Sequence, residues 1–80
     1  MTTIRLFATA ADAARTRRFE SSGVTVAAAL DEARSVRGPA FCGVLETSRV
    51  WLNGDQVAPD AERTCGPSDD IAVLPPVSGG

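Results

Sequence analysis

The chain's chemistry is expected at its closing residues, Gly79 and Gly80, which follow Leu74-Pro75-Pro76-Val77-Ser78. On this reading the chain stops at Gly80, whose free carboxylate sits at the tip of an arm with almost no side chains. Pro75 and Pro76 stiffen the base of the arm, because each fixes φ and favours an extended polyproline path. Glycine lacks Cβ, so the tip fits slots closed to other residues. Such an arm suits delivery of a carboxyl group into another protein's active site. A frayed terminus is the plainer alternative.

Other chemistry is poorly supplied. The 80 residues include no His, Lys or Tyr, and all eight basic residues are Arg. General acid–base catalysis relies most often on His. Schiff-base chemistry and Walker-type phosphate loops require Lys. A GC-rich genome accounts for the arginine bias, and one side effect is that no ε-amine is present to capture an activated carboxyl terminus. Cys42 and Cys65 form no Cys-x-x-Cys pair, and no His stands near to complete a metal set. They read as reduced, small hydrophobes, with a sulfur-relay thiol as the functional alternative.

Length and charge narrow the class. Eighty residues make one domain, 1–80, with 76–80 as its extended tail. A net charge of -2 offers no electrostatic footprint for nucleic acid. No run approaches the roughly 20 apolar residues of a membrane span. The N-terminus lacks the layout of a signal peptide, so a cytoplasmic protein is the expectation.

The elements that must position the arm follow from periodicity. Ile4 and Leu6 alternate with Thr3 and Arg5, which predicts a strand over about Thr2–Ala8. Ala10 to Arg15 reads as a loop or short helical turn, and Arg17–Ser21 as a second strand with Phe19 inward. Thr25 is a good N-cap for a helix over Val26–Arg37, whose stripe is Val26, Ala29, Leu30, Ala33 and Val36. Gly38 stands where a left-handed cap is wanted, and Pro39 follows where the helix cannot continue. Pro39–Ser48 reads as irregular, with room for a short helical turn around Phe41–Leu45. Arg49–Asn53 is a third strand, Asn53-Gly54-Asp55 a hairpin signal, and Gln56–Ala58 a short fourth strand. Ile71–Leu74 is the last. This order predicts an α+β, β-grasp (ubiquitin-like) arrangement. Its mixed sheet of four to five strands packs on one main helix, with strands 1 and 5 parallel at the centre and a flexible diglycine tail.

The chain resembles the ubiquitin-like sulfur carriers, and among them the small subunit of molybdopterin synthase. The matching pieces are Ile4-Arg5-Leu6-Phe7-Ala8, Val24-Thr25-Val26, Leu52-Asn53-Gly54 and, best of all, Asp70-Ile71-Ala72-Val73-Leu74-Pro75-Pro76-Val77-Ser78-Gly79-Gly80. The Arg-only basic set and the alanine-rich loop after strand 1 depart from the family pattern. The resemblance implies a non-catalytic subunit that binds no cofactor of its own. It also implies a ubiquitin-activating-type adenylating enzyme that uses ATP to activate the carboxylate of Gly80. A terminal carboxylate has a pKa near ~3.5 and is a poor electrophile until activated. A sulfur donor would then leave a thiocarboxylate on Gly80, and the large synthase subunit would present a pterin precursor to it. Carriers for thiamine or cysteine synthesis, and ubiquitin-like modifiers, use the same carboxylate and remain alternatives.

Pleating also suggests where partners dock. If Ile4, Leu6, Val50, Leu52, Ile71 and Val73 face the helix, then Phe7, Trp51 and Leu74 face the other way as a docking patch. Scattered surface hydrophobics, or a register that buries Trp51, would be the alternatives. Arg5, Arg17 and Arg18 read as solvated charge, with acidic residues on a partner as the functional alternative.

Overall fold

Alternating apolar residues build the sheet, and their burial shows which way each strand faces. A computed structural model of the chain describes residues 1–76. Residues 77–80, which include Ser78, Gly79 and Gly80 of the expected tail, lie outside the described residues. In β1 (Thr2–Leu6) Ile4 and Leu6 are buried, and in β2 (Arg18–Ser21) so is Phe19. Val50 and Leu52 of β3 (Arg49–Leu52), with Ile71 and Val73 of β5 (Asp70–Leu74), complete the same face. The short edge strand β4 is Asp55–Val57. Its turn from β3 uses Asn53 at φ 51° and Gly54 at φ 89°. Two successive positive φ angles match the strand twist, and Asn-Gly supplies them at little cost. The sheet order is β2-β1-β5-β3-β4. β1 and β5 pair parallel, and the other neighbours pair antiparallel. This is the mixed β-grasp sheet that the element order predicts.

Three helices cover the buried face among the described residues: α1 (Thr9–Ala14), α2 (Val26–Arg37) and α3 (Pro39–Thr47). The α2 boundaries match the sequence reading. The side chain of Thr25 accepts a hydrogen bond from Ala28 N at 3.1 Å. Ala28 cannot complete a capping box, so the remaining free donors are met from elsewhere. Val26 N donates to Arg63 O at 2.9 Å and Ala27 N to Ala61 O at 3.0 Å. The loop before β5 thus caps the helix from outside.

Three expectations need correction. The segment after Gly38 is not irregular but the nine-residue helix α3, which buries Phe41 and Leu45. Pro39 stops α2 and also begins α3, where its missing N–H costs nothing and its φ is already helical. Gly38 is not a left-handed cap. At φ 90° and ψ -177° it occupies a region essentially reserved for glycine, and as a single residue it joins two helices. Val36 does not extend the stripe and is 57% exposed. The stripe passes from Ala33 to Arg37, whose guanidinium lies 5.1 Å from the centre of the Phe19 ring and donates to Ala14 O at 3.4 Å. A long amphipathic side chain closes the core there, where the pattern promised a valine. Beside the main helix α2 the core also draws on the two shorter ones: Ala10 and Ala14 of α1 and Phe41 of α3 join Leu30.

Two further contacts hold β2 to α2. Glu32 accepts hydrogen bonds from Ser21 Oγ at 2.8 Å, Ser22 N at 2.9 Å and Ser22 Oγ at 3.1 Å. Gly23 lies against the helix backbone, where a Cβ would stand 2.7 Å from both Ala28 C and Ala29 Cα. Backbone atoms cannot yield to that contact, so Gly23→Ala should lose about 1–3 kcal/mol in denaturant unfolding. Phe41→Ala should lose about 3–5 kcal/mol, and Val36→Ala should stay within about 0.5 kcal/mol. A harmless Phe41→Ala would place α3 outside the core.

Acid should loosen the same corner. The hydrogen bonds from Ser21 and Ser22 hold Glu32 below its ordinary value of 4.5. A carboxyl whose folded pKa is depressed contributes stability above its unfolded pKa and loses it as pH falls through the folded one. Urea midpoints should therefore fall as pH drops below 4.5, and the fall should be shallower in Glu32→Gln. An identical pH profile in the variant would show that the serine contacts do not form.

Candidate functional site

Parallel pairing brings the ends of β1 and β5 to one edge of the sheet. Leu6 pairs with Val73 on the buried side. The next residue along each strand turns to the open side, so Phe7 and Leu74 emerge together at 45% and 40% exposure. Phe7 N donates to Val73 O at 3.3 Å and ties the two strands at this point. Leu74 in turn stands opposite Arg49 of β3. One row further from the edge, the pairing runs Arg18, Arg5, Ala72, Trp51, Gln56 across all five strands. Trp51 is half-buried in that row. Sequence reasoning placed Phe7, Trp51 and Leu74 on one face, and the structure puts them there. Pro75 and Pro76 leave the sheet directly beside Phe7 and Leu74.

Charge on the open face is uneven. Arg5 pairs with Asp70 at 3.6 Å and Arg18 with Glu20 at 3.0 Å. Thr3 Oγ1 donates to Glu20 at 2.9 Å. That hydroxyl first, and Arg18 second, hold the Glu20 carboxyl below its usual value. These pairs occupy the middle of the face and the end away from the prolines. Asn53 Nδ2 donates to Asp69 at 2.8 Å at that far end, and together with Gly66 N it lowers the Asp69 pKa. Asn53 Oδ1 also accepts from Asp70 N at 2.9 Å, which fixes the start of β5.

The other side of the proline segment is a groove of about 730 Å³ lined by Ala8, Pro39, Gly43, Val44, Pro75 and Pro76, among others. Among the described residues, no charged residue lines it. Its floor depends on an unusual turn. Ala8 has φ 51° and ψ -127°, and Ala10 N donates to Phe7 O at 3.1 Å. This is a type II′ turn from Phe7 to Ala10, with alanine at the position that favours glycine. The sequence gives no sign of this groove, because Pro39 and Gly43 mask α3 and because alanine gives no signal of a positive φ. Cys42 and Cys65 are free and half-buried, and neither lines this groove. Their thiols approach backbone carbonyls, Arg34 O at 3.7 Å and Gly23 O at 3.8 Å.

The sequence pattern of the ThiS family matches residues 4–80. The chain belongs to the ThiS family. Members of this family are small carrier proteins, generally non-catalytic. Among solved structures, small archaeal modifier protein 1 from Haloferax volcanii shares 31% identity, with 99% of this chain and 98% of that one covered and a TM-score of 0.78. The Methanosarcina acetivorans protein of the same name shares 27% identity, covering 99% and 95%, with a TM-score of 0.83. A chain of the Amycolatopsis orientalis BexX/CysO complex aligns over 100% of both chains at 20% identity and a TM-score of 0.77, a likeness of fold alone. No curated protein gives a significant match. The fold is that of ubiquitin-like sulfur carriers and modifiers. No helix among the described residues is long and apolar enough to cross a membrane.

The Ala8 turn yields a direct test. A non-glycine residue held there stores about 1–3 kcal/mol of strain. Ala8→Gly relieves that strain and gives back about 0.4–1 kcal/mol through a looser unfolded chain. The substitution should therefore raise the melting temperature. A fall in melting temperature would mean that the ThiS-family chain holds Ala8 without strain.

Proposed function

We propose that this chain is the sulfur-carrying, non-catalytic small subunit of molybdopterin synthase, with Gly80 as its reactive residue. One observation carries the reading. The central strand β5 leads straight into the Pro-Pro segment of a ThiS-family chain whose sequence continues Val77-Ser78-Gly79-Gly80. A strand bonded on both sides is a firm base for an arm that must reach into a second protein. In the first step the Gly80 carboxylate attacks the α-phosphorus of ATP on a ubiquitin-activating-type adenylating enzyme. Pyrophosphate leaves and an acyl-adenylate remains. A sulfide equivalent then displaces AMP, and the new thiocarboxylate carries sulfur to a pterin precursor on the large synthase subunit. The thiocarboxylate is itself a soft anionic nucleophile, so the carrier needs no base. That fits a chain without His.

The 31% identity to a small archaeal modifier protein favours a second reading, a ubiquitin-like protein modifier. There the same activated carboxyl would acylate a lysine amine on a target. Carriers for thiamine or cysteine synthesis share the loading step and differ in the acceptor.

Loading can be read by intact mass. Incubation with the adenylating enzyme, ATP and a sulfide source should exchange one oxygen for sulfur at Gly80, and Gly79→Val should block the exchange. Sulfur found instead on Cys42 or Cys65 would contradict the proposal and favour a relay thiol.

A further inference from the structure

We infer that the chain's own closing segment, Val77-Ser78-Gly79-Gly80, docks in the uncharged groove between α3 and the Pro75-Pro76 wall, with the Val77 side chain seated against Val44. Such docking goes beyond the carrier reading and is the same whichever acceptor takes the sulfur. It keeps the tail on the protein's own surface until a partner draws it out, so that only the released fraction can enter an active site.

The path of the chain points there. Leu74 stands opposite Arg49, just past the end of α3 at Thr47, so β5 delivers the chain to the closing end of that helix. Pro75 and Pro76 both line the groove, so the chain is already in it where the described residues end. Their fixed φ angles keep the path extended and prevent an immediate turn back. The long wall of the groove is one face of α3, where Ala40, Gly43, Val44 and Thr47 recur at helical spacing while Phe41 and Leu45 are buried in the core. A Cβ built on Gly43 would meet nothing within 4 Å, so the wall is indented at its middle. From Thr47 to Ala40 the helix runs roughly 10 Å. Four further extended residues span about 13 Å, enough to follow the wall to its far end. Composition suits the walls as well. Val77 is the one residue of the four with an apolar side chain, and Ser78, Gly79 and Gly80 are small. The hydroxyl oxygens of Thr9 and Thr47 are acceptors for backbone N–H groups of such a segment. The open sheet face suits it less, because the ion pairs of Arg5 with Asp70 and Arg18 with Glu20 lie across it.

The test is nuclear magnetic resonance of the full-length chain with labelled methyl groups, beside the same chain ended after Pro76. Nuclear Overhauser cross-peaks should join the methyls of Val77 to those of Val44. Ending the chain after Pro76 should shift the methyl signals of Ala40 and Val44, which are distant from the cut in sequence, and Val77→Ser should shift them the same way. Gly43→Gln fills the indentation from outside. A helix interior accepts Gln better than Gly, so the variant should keep its fold, which circular dichroism melting checks. In Gly43→Gln the cross-peaks should vanish, and ending the chain after Pro76 should no longer move the Ala40 signal. Absent cross-peaks in the unaltered chain, with Ala40 and Val44 unmoved by the cut, would overturn the inference and leave the groove free for a partner. Cross-peaks that survive Gly43→Gln would place the segment elsewhere and overturn it too. Cross-peaks found only between differently labelled copies would assign the groove to a second copy's tail, again against the inference. Loading at Gly80 is scored separately by intact mass, and its failure would count against the carrier reading alone.

Discussion

Parallel pairing of β1 with β5 is the constraint on which the molecule depends. It places the last strand in the middle of the sheet, bonded to β1 on one side and β3 on the other. Both partners must be held in register, because a slip of one residue would turn every core side chain of β5 to the open face. Ile71 and Val73 are fully buried, so the register is strongly specified. The same pairing carries Phe7 and Leu74 to one edge and sends Pro75 and Pro76 out beside them. A carrier needs a fixed base and a reaching tip, and central placement of β5 provides the base.

The helices serve that pairing. Parallel neighbours cannot be joined by a tight turn, and here the chain between β1 and β5 runs through β2, α2, α3, β3 and β4, with the helices covering the buried face. One glycine between the two helices keeps the connection short. The loop that returns to β5 caps the start of α2 through the carbonyls of Arg63 and Ala61. The start of α2 and the loop that leads into the final strand are thus joined by hydrogen bonds. Small size leaves little reserve, since a chain of ~80 residues buries a modest share of its unfolded surface. Single close contacts such as Gly23 against Ala29 consequently matter more than they would in a larger core.

Much of this was legible in the residues, for identifiable reasons. The strands follow from strict alternation at Ile4 and Leu6, Val50 and Leu52, and Ile71 and Val73. The α2 boundaries follow from Thr25 and Gly38. The open-face positions of Phe7 and Leu74 follow from pleating alone. The third helix was not legible, because Pro39 signals an end and a beginning with the same letter, and Gly43 weakens the helical pattern within it. Val36 misled for a different reason: a stripe of period 3.6 admits either position 36 or position 37, and only the packing against Phe19 shows that Arg37 fills the space. The expectation for the tail rests on composition and family likeness alone, and several pathways share that chemistry.

Delivery of the sulfur is therefore the decisive observation. The thiocarboxylated chain, mixed once with the large synthase subunit and its bound pterin precursor, should return to the carboxylate form as sulfur appears in the pterin, in a stoichiometric single turnover. A thiocarboxylate that persists with that subunit, but is consumed by a thiazole-forming or cysteine-forming partner or ends in an amide bond to a protein lysine, would contradict the account.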